Sequence, residues 1–303
     1  MIRLVLVAWL ALCGVANAQL SGGVGGFPGP GAASGCTPGT EATNFLARTS
    51  GLNATYTNAY CNLINGLVAD GFITGNLSGA ASCGTGTKVL ENLWILASDT
   101  STNALLNICG TSFPPVPTNT PTFTAGVGYA GNGTTSYLAV AWAPSTNGVN
   151  FTQNCASMGA YIGNNRTTSN SSVIMGTAVP SSFAYIVPLE TSNFKYDMNS
   201  ATFPTVANSG TAGMWIATRT ASNATAAYKN GNTTAIQTTS STSAARSSQV
   251  LRLLALNNNG SNSNFSADTL AAAFVGGCLT STEQAALAAR INTYMTALGV
   301  NVY

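Results

Sequence analysis

The sequence of 303 residues contains no histidine and only eight carboxylates, no two of which lie closer than seven positions apart. Histidine is the side chain whose ordinary pKa falls in the physiological range, and it serves as general base, triad partner and metal ligand. Its absence excludes Ser-His-Asp and Cys-His catalytic arrangements and histidine-based metal sites. The composition therefore points away from an enzyme.

Charge of either sign is also scarce. Charged residues make up 6% of the chain, against roughly a quarter in ordinary soluble domains. The net charge of +2 comes from lysines and arginines that are scattered along the chain, which provides no basic field for nucleic acid. Serine, threonine, asparagine and glycine must solvate the surface instead, and this bias favours a β-rich extracellular or virion-type protein.

Residues 1–18 have the pattern of a Sec signal peptide. Arg3 precedes a short apolar run, and small residues end at Ala18, as in a leader with an Ala-x-Ala cleavage site. The run is shorter than the roughly 20 residues that span a bilayer, and no later segment is long and apolar enough. We expect a mature chain that begins at Gln19 and is periplasmic, secreted or associated with a surface or virion; a retained N-terminal membrane anchor is the alternative.

Cysteine usage agrees with export. Six cysteines remain after the leader, and no Cys-x-x-Cys pair occurs among them, so a zinc site or a thioredoxin-like motif is not expected. An even number of thiols in an exported chain predicts up to three disulfides, and six cysteines allow 15 pairings. We expect at least one bridge within the N-terminal region. The candidates are Cys36, Cys61, Cys83, Cys109, Cys155 and Cys278.

The first part of the mature chain divides into a tether and a small helical region. Residues 19–36 are rich in glycine and proline and read as a flexible tether. In region 37–115, Asn53 is placed to cap an amphipathic helix that ends before Gly71. Four prolines within residues 113–121 interrupt regular structure and predict a domain boundary.

Residues 120–303 have the pattern of a β-sandwich. Short apolar or aromatic runs alternate with turn residues, which favours a two-sheet sandwich or a barrel. Asn230-Gly231 lies between strand-like residues and predicts a hairpin. A C-terminal helix is expected over residues 282–298, capped by Thr280 or Ser281. The predicted strands include 137–142, 156–162, 182–187, 213–218, 224–228 and 250–256.

Three segments of this region resemble the laminin-G-like branch of the concanavalin A-like lectin/glucanase superfamily. They are residues 129–137, the 228–231 hairpin, and 273–280 leading into the last helix. More narrowly, with segments 45–52 and 104–107 ahead of the β domain, the chain is similar to uncharacterised proteobacterial and phage-associated exported proteins. The resemblance spans residues 45–299 and implies a two-sheet antiparallel jelly roll that binds glycans or proteins.

The hydrolases of that superfamily carry two glutamates around an aspartate on one strand, and this motif is missing here. Glycoside hydrolysis requires a paired acid and nucleophile or base, whereas the glutamates are isolated in sequence. Only the fold could assemble a pair, such as Glu190 with Asp197 or with Asp268. We therefore predict a protein without catalytic activity, and keep a cryptic glycoside hydrolase as an alternative.

The resemblance also implies possible calcium binding through loop oxygens. Asp197, Asn199 and Asp268 are the candidate ligands, because oxygen donors suit a hard cation such as Ca²⁺. The alternative interpretation is structural. In it, Asp197 caps a turn and Asp268 caps a short helical turn before Leu270.

Glycan binding requires aromatic rings beside amides and hydroxyls, because sugar C–H faces stack on rings while the hydroxyls need fixed partners. Trp142 and Tyr196, next to proline-rich or asparagine-rich loops, are the preferred ring candidates. The sequence thus predicts an exported carbohydrate-binding or cell-surface-binding module. A structural component of a surface appendage or virion, whose partner is a second copy of itself, is the alternative.

Overall fold

The computed structural model describes residues 35–79 and 82–303. The predicted leader and nearly all of the predicted tether lie outside these residues. The helices of the described part are α1 (Thr40–Leu46), α2 (Ala54–Ala69), α3 (Ser101–Ala104), α4 (Pro144–Asn147) and α5 (Ser281–Ala297). None of them is long and apolar enough to cross a membrane.

The strands confirm the predicted mainly β sandwich with a C-terminal helix. They are β1 (Leu90–Ile95), β2 (Val116–Thr118), β3 (Thr122–Thr124), β4 (Gly128–Ala130), β5 (Tyr137–Ala139), β6 (Ala156–Ile162), β7 (Met175–Val179), β8 (Ser182–Glu190), β9 (Asn193–Ser200), β10 (Thr205–Ala207), β11 (Gly213–Ala221), β12 (Ala224–Lys229), β13 (Gln237–Ser240), β14 (Arg252–Leu253), β15 (Leu256–Asn258), β16 (Ser261–Ser263) and β17 (Thr269–Gly276).

The strands form two sheets. Sheet I has the order β13-β12-β11-β6-β17-β4-β3, with β1 also paired to β17. Sheet II has the order β10-β9-β8-β7-β14-β5-β2, and β15 pairs with both β7 and β16. Among the described residues, the ladders are antiparallel except for the parallel pairing of β15 with β7.

The main core lies between the two sheets. Trp215 of sheet I stacks on Phe194 of sheet II, with ring centroids 4.5 Å apart and an interplanar angle of 10°. Alternation along the strands delivers these side chains: Phe194, Tyr196 and Met198 of β9 all belong to this core. Every second residue therefore points inward, as the period of an extended strand requires.

A second core covers the other face of sheet I. Helices α1, α2 and α5 pack against residues such as Tyr161, Ile216 and Phe274. Tyr60 of α2 and Tyr294 of α5 meet with ring centroids 4.9 Å apart. The helices thus cover one face of the sandwich, whereas the outer face of sheet II carries only a small apolar cluster.

Residues 37–115 share that core and a sheet with residues 120–303, although the proline-rich segment 113–121 lies between the two regions in sequence. Strand β1 pairs with β17 over Leu90–Ile95, and Asp70 after α2 forms a 2.8 Å ion pair with Arg290 of α5. Residues 35–303 accordingly form one compact unit. The proline-rich segment is a connection within that unit.

The predicted disulfide bonds are present. Two of them lie in the N-terminal region, Cys36–Cys61 and Cys83–Cys109, so the expectation of at least one bridge there is confirmed. The third, Cys155–Cys278, joins the residue before β6 to the segment before α5.

Candidate functional site

The outer face of sheet II contains a recess of about 240 Å³. Phe183, Tyr185 and Phe203 provide its rings, and Glu190 and Lys195 provide its charges. We call this set of five residues the aromatic recess. Small polar side chains complete the rim, namely Ser171, Asn258 and Asn264.

The rings face outward because of the alternation along β8. Ala184 and Ile186 belong to the core between the sheets, whereas Phe183 and Tyr185 belong to the outer cluster. A Cβ at Gly176, opposite Tyr185 on β7, would come within 2.8 Å of the Tyr185 Cβ. The absence of a side chain at residue 176 therefore makes room for the Tyr185 side chain.

The three rings contact one another. The Phe203 ring lies 4.9 Å from the Phe183 ring at 71°, and 6.1 Å from the Tyr185 ring at 19°. Tyr185 is 4% exposed, whereas Phe203 is 37% exposed. Phe203 thus supplies the accessible ring face of the recess, and Tyr185 lies beneath it.

Phe203 adopts an unusual backbone conformation. Its φ of 54° lies in the left-handed region, which a bulky residue seldom occupies and which costs on the order of 1–3 kcal/mol. The Phe203 and Thr202 N–H groups donate to Asp197 Oδ2 at 3.2 and 3.0 Å. The Asp197 carboxylate therefore holds the turn that presents the Phe203 ring.

The Asp197 carboxylate is buried, whereas the carboxylate of an empty calcium site would be open to solvent. Asp197 is 1% exposed, and its Oδ1 accepts hydrogen bonds from the Ser200 hydroxyl and from the Met198 N–H. Burial raises the pKa of Asp197, although these hydrogen bonds oppose the shift. The structure fits the alternative interpretation, in which Asp197 caps a turn.

The recess contains an ion pair between Lys195 and Glu190, with Nζ and Oε2 2.9 Å apart. The Lys195 Nζ also lies 5.4 Å from the centroid of the Phe203 ring. Burial acts to raise the pKa of Glu190, but the hydrogen bonds from Lys195 and Ser171 and the Lys195 charge outweigh it and lower the pKa. Glu190 is therefore a carboxylate at neutral pH, and its charge is balanced by Lys195.

The Tyr185 phenol stays neutral. Burial, and then the charges of Asp197 and Glu190, raise its pKa above the ordinary value. A neutral phenol can both donate and accept a hydrogen bond. The aromatic recess thus offers ring faces, one hydroxyl and one neutralised ion pair, which is the chemistry of a binding site for a polar, uncharged ligand.

The two rings preferred from sequence are not at this site. Trp142 is 1% exposed and Tyr196 is 0% exposed, and both belong to the core between the sheets. Trp142 packs edge-on against Phe151, while Tyr196 lies beside Phe194. Neither ring has a face that a ligand can reach, so these two ligand-contact predictions are corrected.

The other two calcium candidates, Asp268 and Asn199, are also buried. Asp268 is fully buried and pairs with the Arg166 guanidinium through both oxygens at 3.0 Å; it precedes β17 and does not cap a helical turn. Asn199 is buried, and its amide nitrogen donates to the carbonyls of Thr152 and Gln153, while its side-chain oxygen has no partner among the described residues. In residues 35–79 and 82–303, no three Asp, Glu, Cys or His side chains are grouped as metal ligands.

Sequence reasoning singled out Glu190, as half of a possible carboxylate pair, but it did not single out Phe183, Tyr185, Lys195 or Phe203. One signal was available. The segment from Phe183 to Val187 has apolar residues on both faces of a strand, and a second apolar face needs either a covering layer or a ligand. Phe203 had no such signal, because its contact with the β8 rings depends on the turn after β9.

No protein-family model matches this chain, and no curated protein matches it. Among solved structures, domain 4 of AbnA, a GH43 extracellular arabinanase from Geobacillus stearothermophilus in complex with arabinotriose, is 14% identical with a TM-score of 0.45. That match covers 66% of this chain and 98% of the domain.

Two larger proteins are similar over part of their length. Trypanosoma rangeli sialidase is 11% identical with a TM-score of 0.46, over 78% of this chain and 38% of the sialidase. The botulinum neurotoxin serotype D binding domain is 10% identical with a TM-score of 0.39, over 63% of this chain and 49% of that domain. This chain thus spans half or less of either protein, and likenesses at this level assign no function.

Proposed function

We propose that the protein is an exported glycan-binding module of the laminin-G-like type, and that the aromatic recess on sheet II is its binding site. The observation that carries the proposal is the cluster of outward-facing rings at Phe183, Tyr185 and Phe203 on the one sheet face that the helices leave open. The disulfide bonds and the leader-like residues 1–18 support export.

The chemistry of the recess favours an uncharged sugar. A sugar ring presents C–H faces that pack on Phe203 and hydroxyls that need donors and acceptors. Glu190, Lys195 and the Tyr185 phenol supply these groups, and the Glu190–Lys195 pair leaves the recess without net charge.

The proposal is tested with a substitution at Phe203. Asparagine tolerates the left-handed backbone at this position and removes the ring. We expect Phe203→Asn to weaken binding on a glycan array or in a polysaccharide pull-down by about five-fold to ten-fold, which corresponds to about 1–1.5 kcal/mol for one aromatic contact. Val68→Ala is the control, because Val68 is exposed on α2 over the opposite face.

Two results would contradict the proposal. The first is unchanged glycan binding in a Phe203→Asn variant that melts like the wild type. The second is a wild-type protein that retains no glycan but assembles into a regular oligomer in solution, as a structural component of an appendage or virion would.

The alternative of glycoside hydrolysis makes a separate prediction. It requires turnover of a polysaccharide that stops in Glu190→Gln. Binding without turnover is the expected result. Of the described residues, Glu190 is the carboxylate that lines the recess, while Asp197 is buried beneath it with both oxygens occupied by four donors, and hydrolysis needs two carboxyl groups facing the bond.

A further inference from the structure

A second recess adjoins the aromatic recess. It has a volume of about 280 Å³ and is lined by Gly133, Asn170, Ser171, Ser172, Asn264 and Phe265. We call it the polar recess. Ser171 and Asn264 line both recesses, so the two cavities lie side by side and share this pair of residues as a common wall.

The polar recess is lined by amides, hydroxyls and one ring. The Asn264 amide N–H donates to the Ser171 carbonyl at 2.9 Å, and the Asn170 side-chain oxygen accepts from the Ser172 N–H at 3.1 Å. In the described part of the chain, the other half of each amide has no protein partner. The Asn264 oxygen and the Asn170 amide nitrogen are therefore available to a ligand, and Asn170, Ser171 and Asn264 are exposed.

The walls of the polar recess are held in place before any ligand arrives. The Val173 N–H donates to the Asn264 carbonyl at 2.8 Å, which ties the 170–173 segment to the segment after β16. The Arg166 guanidinium, fixed by Asp268, donates to the Ser172 hydroxyl at 3.2 Å. A preformed site loses little conformational entropy on binding.

The two recesses together have the volume of an ordinary ligand site, and neither carries a net charge. Each alone is smaller than the roughly 300–1,000 Å³ of ordinary small-molecule sites, whereas together they fall within that range. Among the described residues, no charged side chain lines the polar recess, and the opposite charges of Glu190 and Lys195 in the aromatic recess balance each other. The combined groove therefore fits an elongated, uncharged, hydroxyl-rich ligand.

We infer that the aromatic recess and the polar recess are neighbouring subsites of one groove, which holds consecutive units of a linear neutral oligosaccharide. This inference rests on the proposed glycan-binding function. It adds that the ligand is an internal or terminal stretch of a chain of at least two sugars, with one unit packed on Phe203 and the next bonded by the amides of Asn170 and Asn264.

The test measures how affinity depends on ligand length. The full-length protein is titrated with malto-, cello- and xylo-oligosaccharides of one to six units, by calorimetry and by NMR for weak binders. In the series that binds, we expect the trimer to bind at least about ten-fold tighter than the monomer, because the second subsite adds contacts to the same ligand. Affinity should stop rising once both recesses are filled.

Two variants test the polar recess itself. In Asn170→Ala and in Phe265→Leu, the ratio of trimer to monomer affinity should fall toward one. Asn62→Ala, an exposed amide on α2, is the matched control and should keep the wild-type ratio. Thermal melting of each variant checks that it folds, because Asn170→Ala also removes the acceptor of the Ser172 N–H; Phe265→Leu leaves that hydrogen bond in place.

The outcomes separate this inference from the proposed function. Equal affinity for monomer and trimer, with binding lost in Phe203→Asn, would overturn the two-subsite groove and leave glycan binding standing. A wild-type length dependence that persists in both polar-recess variants would also overturn it. No binding in any series or on a glycan array would overturn the proposed function together with this inference.

Discussion

At the scale of single residues, Asp197 shows how a buried charge can serve a surface site. Its carboxylate accepts hydrogen bonds from the Ser200 hydroxyl and from the N–H groups of Met198, Thr202 and Phe203. The last two belong to the turn that presents the exposed ring. Removal of the carboxylate would leave buried donors unpaired, and each costs about 1–3 kcal/mol.

We therefore predict that Asp197→Ala lowers the free energy of unfolding by at least about 2 kcal/mol and weakens glycan binding, although Asp197 does not line the recess. Asp197→Asn keeps one acceptor oxygen and should lose less on both measurements. Urea denaturation and glycan titration of the two variants provide the check. An Asp197→Ala variant as stable as the wild type would show that the turn does not depend on this carboxylate.

If Asp197 bound calcium, the stability of the protein would depend on the ion. A calcium ligand makes the melting temperature depend on the ion, since a ligand that binds only the folded state stabilises it. Because both Asp197 oxygens are already occupied by donors of its own turn, we expect EDTA to leave the melting temperature unchanged. A melting temperature that falls in EDTA and is restored by added calcium would contradict the structural role of Asp197.

Glu91 of β1 is a second buried carboxylate and predicts a pH dependence. Its Oε1 accepts from the Asn150 and Phe151 N–H groups, and Oε2 has no partner within the described residues. Burial raises the pKa of Glu91, against the effect of these backbone hydrogen bonds and of the Arg246 charge. A raised pKa in the folded state gives stability that is present at low pH and is lost as the pH rises through that pKa.

Glu91→Gln removes this titration, so its stability relative to the wild type should increase between pH 4 and pH 8. The measurement is the free energy of unfolding of both proteins across that range. Asp70→Asn is a useful contrast, because hydrogen bonding to Arg290 lowers the pKa of the partly exposed Asp70, so the stability that Asp70 contributes is present across this range and is lost only as the pH falls below about 4. A Glu91→Gln difference that does not change with pH would contradict the prediction.

At the scale of elements, the disulfides differ in how much chain they enclose. Cys155–Cys278 has a sequence separation of 123, whereas Cys36–Cys61 has a separation of 25. In the chain-entropy account, a longer enclosed loop restricts the unfolded state more. Cys155–Cys278 also fixes the segment that leads into the capping box of Thr280 and Glu283 on α5.

We predict that replacing Cys155 and Cys278 together by alanine costs roughly 1 kcal/mol more stability than replacing Cys36 and Cys61, within the usual range of about 2–5 kcal/mol for a native bridge. Chemical denaturation of the two double variants gives the comparison. A larger loss from the Cys36–Cys61 pair would mean that local packing of α2 outweighs loop entropy.

Elements that are encoded locally were predictable. Strand β6 covers the predicted run 156–162, and Asn53 caps α2 by accepting from the Thr55 and Tyr56 N–H groups. These features depend on neighbours within four residues of each other. The hairpin at Asn230-Gly231 was predicted in part. Both residues have positive φ, but the returning strand β13 begins only at Gln237.

The candidate site was harder to predict because its parts come from separate strands. Strand β9 has an alternating pattern with Phe194 and Tyr196 facing the core, yet Lys195 and Asp197 interrupt its apolar residues, and it is not among the predicted strands. The sequence predicts that aromatic rings make the sugar contacts, but it does not indicate which rings face outward. That distinction depends on the register between β8 and β9, which only the folded sheet sets.

At the scale of the whole molecule, the N-terminal region completes sheet I and covers it. Strand β1 pairs with β17, and α2 packs on α5 over Tyr161, Ile216 and Phe274. Without residues 35–115, these side chains of the sheet would lose the part of their cover that α1 and α2 provide, while α5 would remain. Exposed apolar patches of this kind cause aggregation or loss of stability.

We therefore predict that a chain of residues 120–303 fails to fold as a soluble, cooperative unit, while a chain of residues 35–303 folds and binds glycan like the full-length protein. Both are expressed with oxidising conditions for the disulfides and compared by near-ultraviolet circular dichroism, thermal melting and dye binding to exposed apolar surface. The point variant Tyr60→Ala provides an intermediate case, because Tyr60 is buried between Phe45 and Tyr294, and loss of a buried aromatic costs about 3–5 kcal/mol. A stable, cooperative 120–303 chain would show that the sandwich needs neither the strands β1 and β2 nor the helices α1, α2 and α3, and would restore the proline-rich segment as a domain boundary.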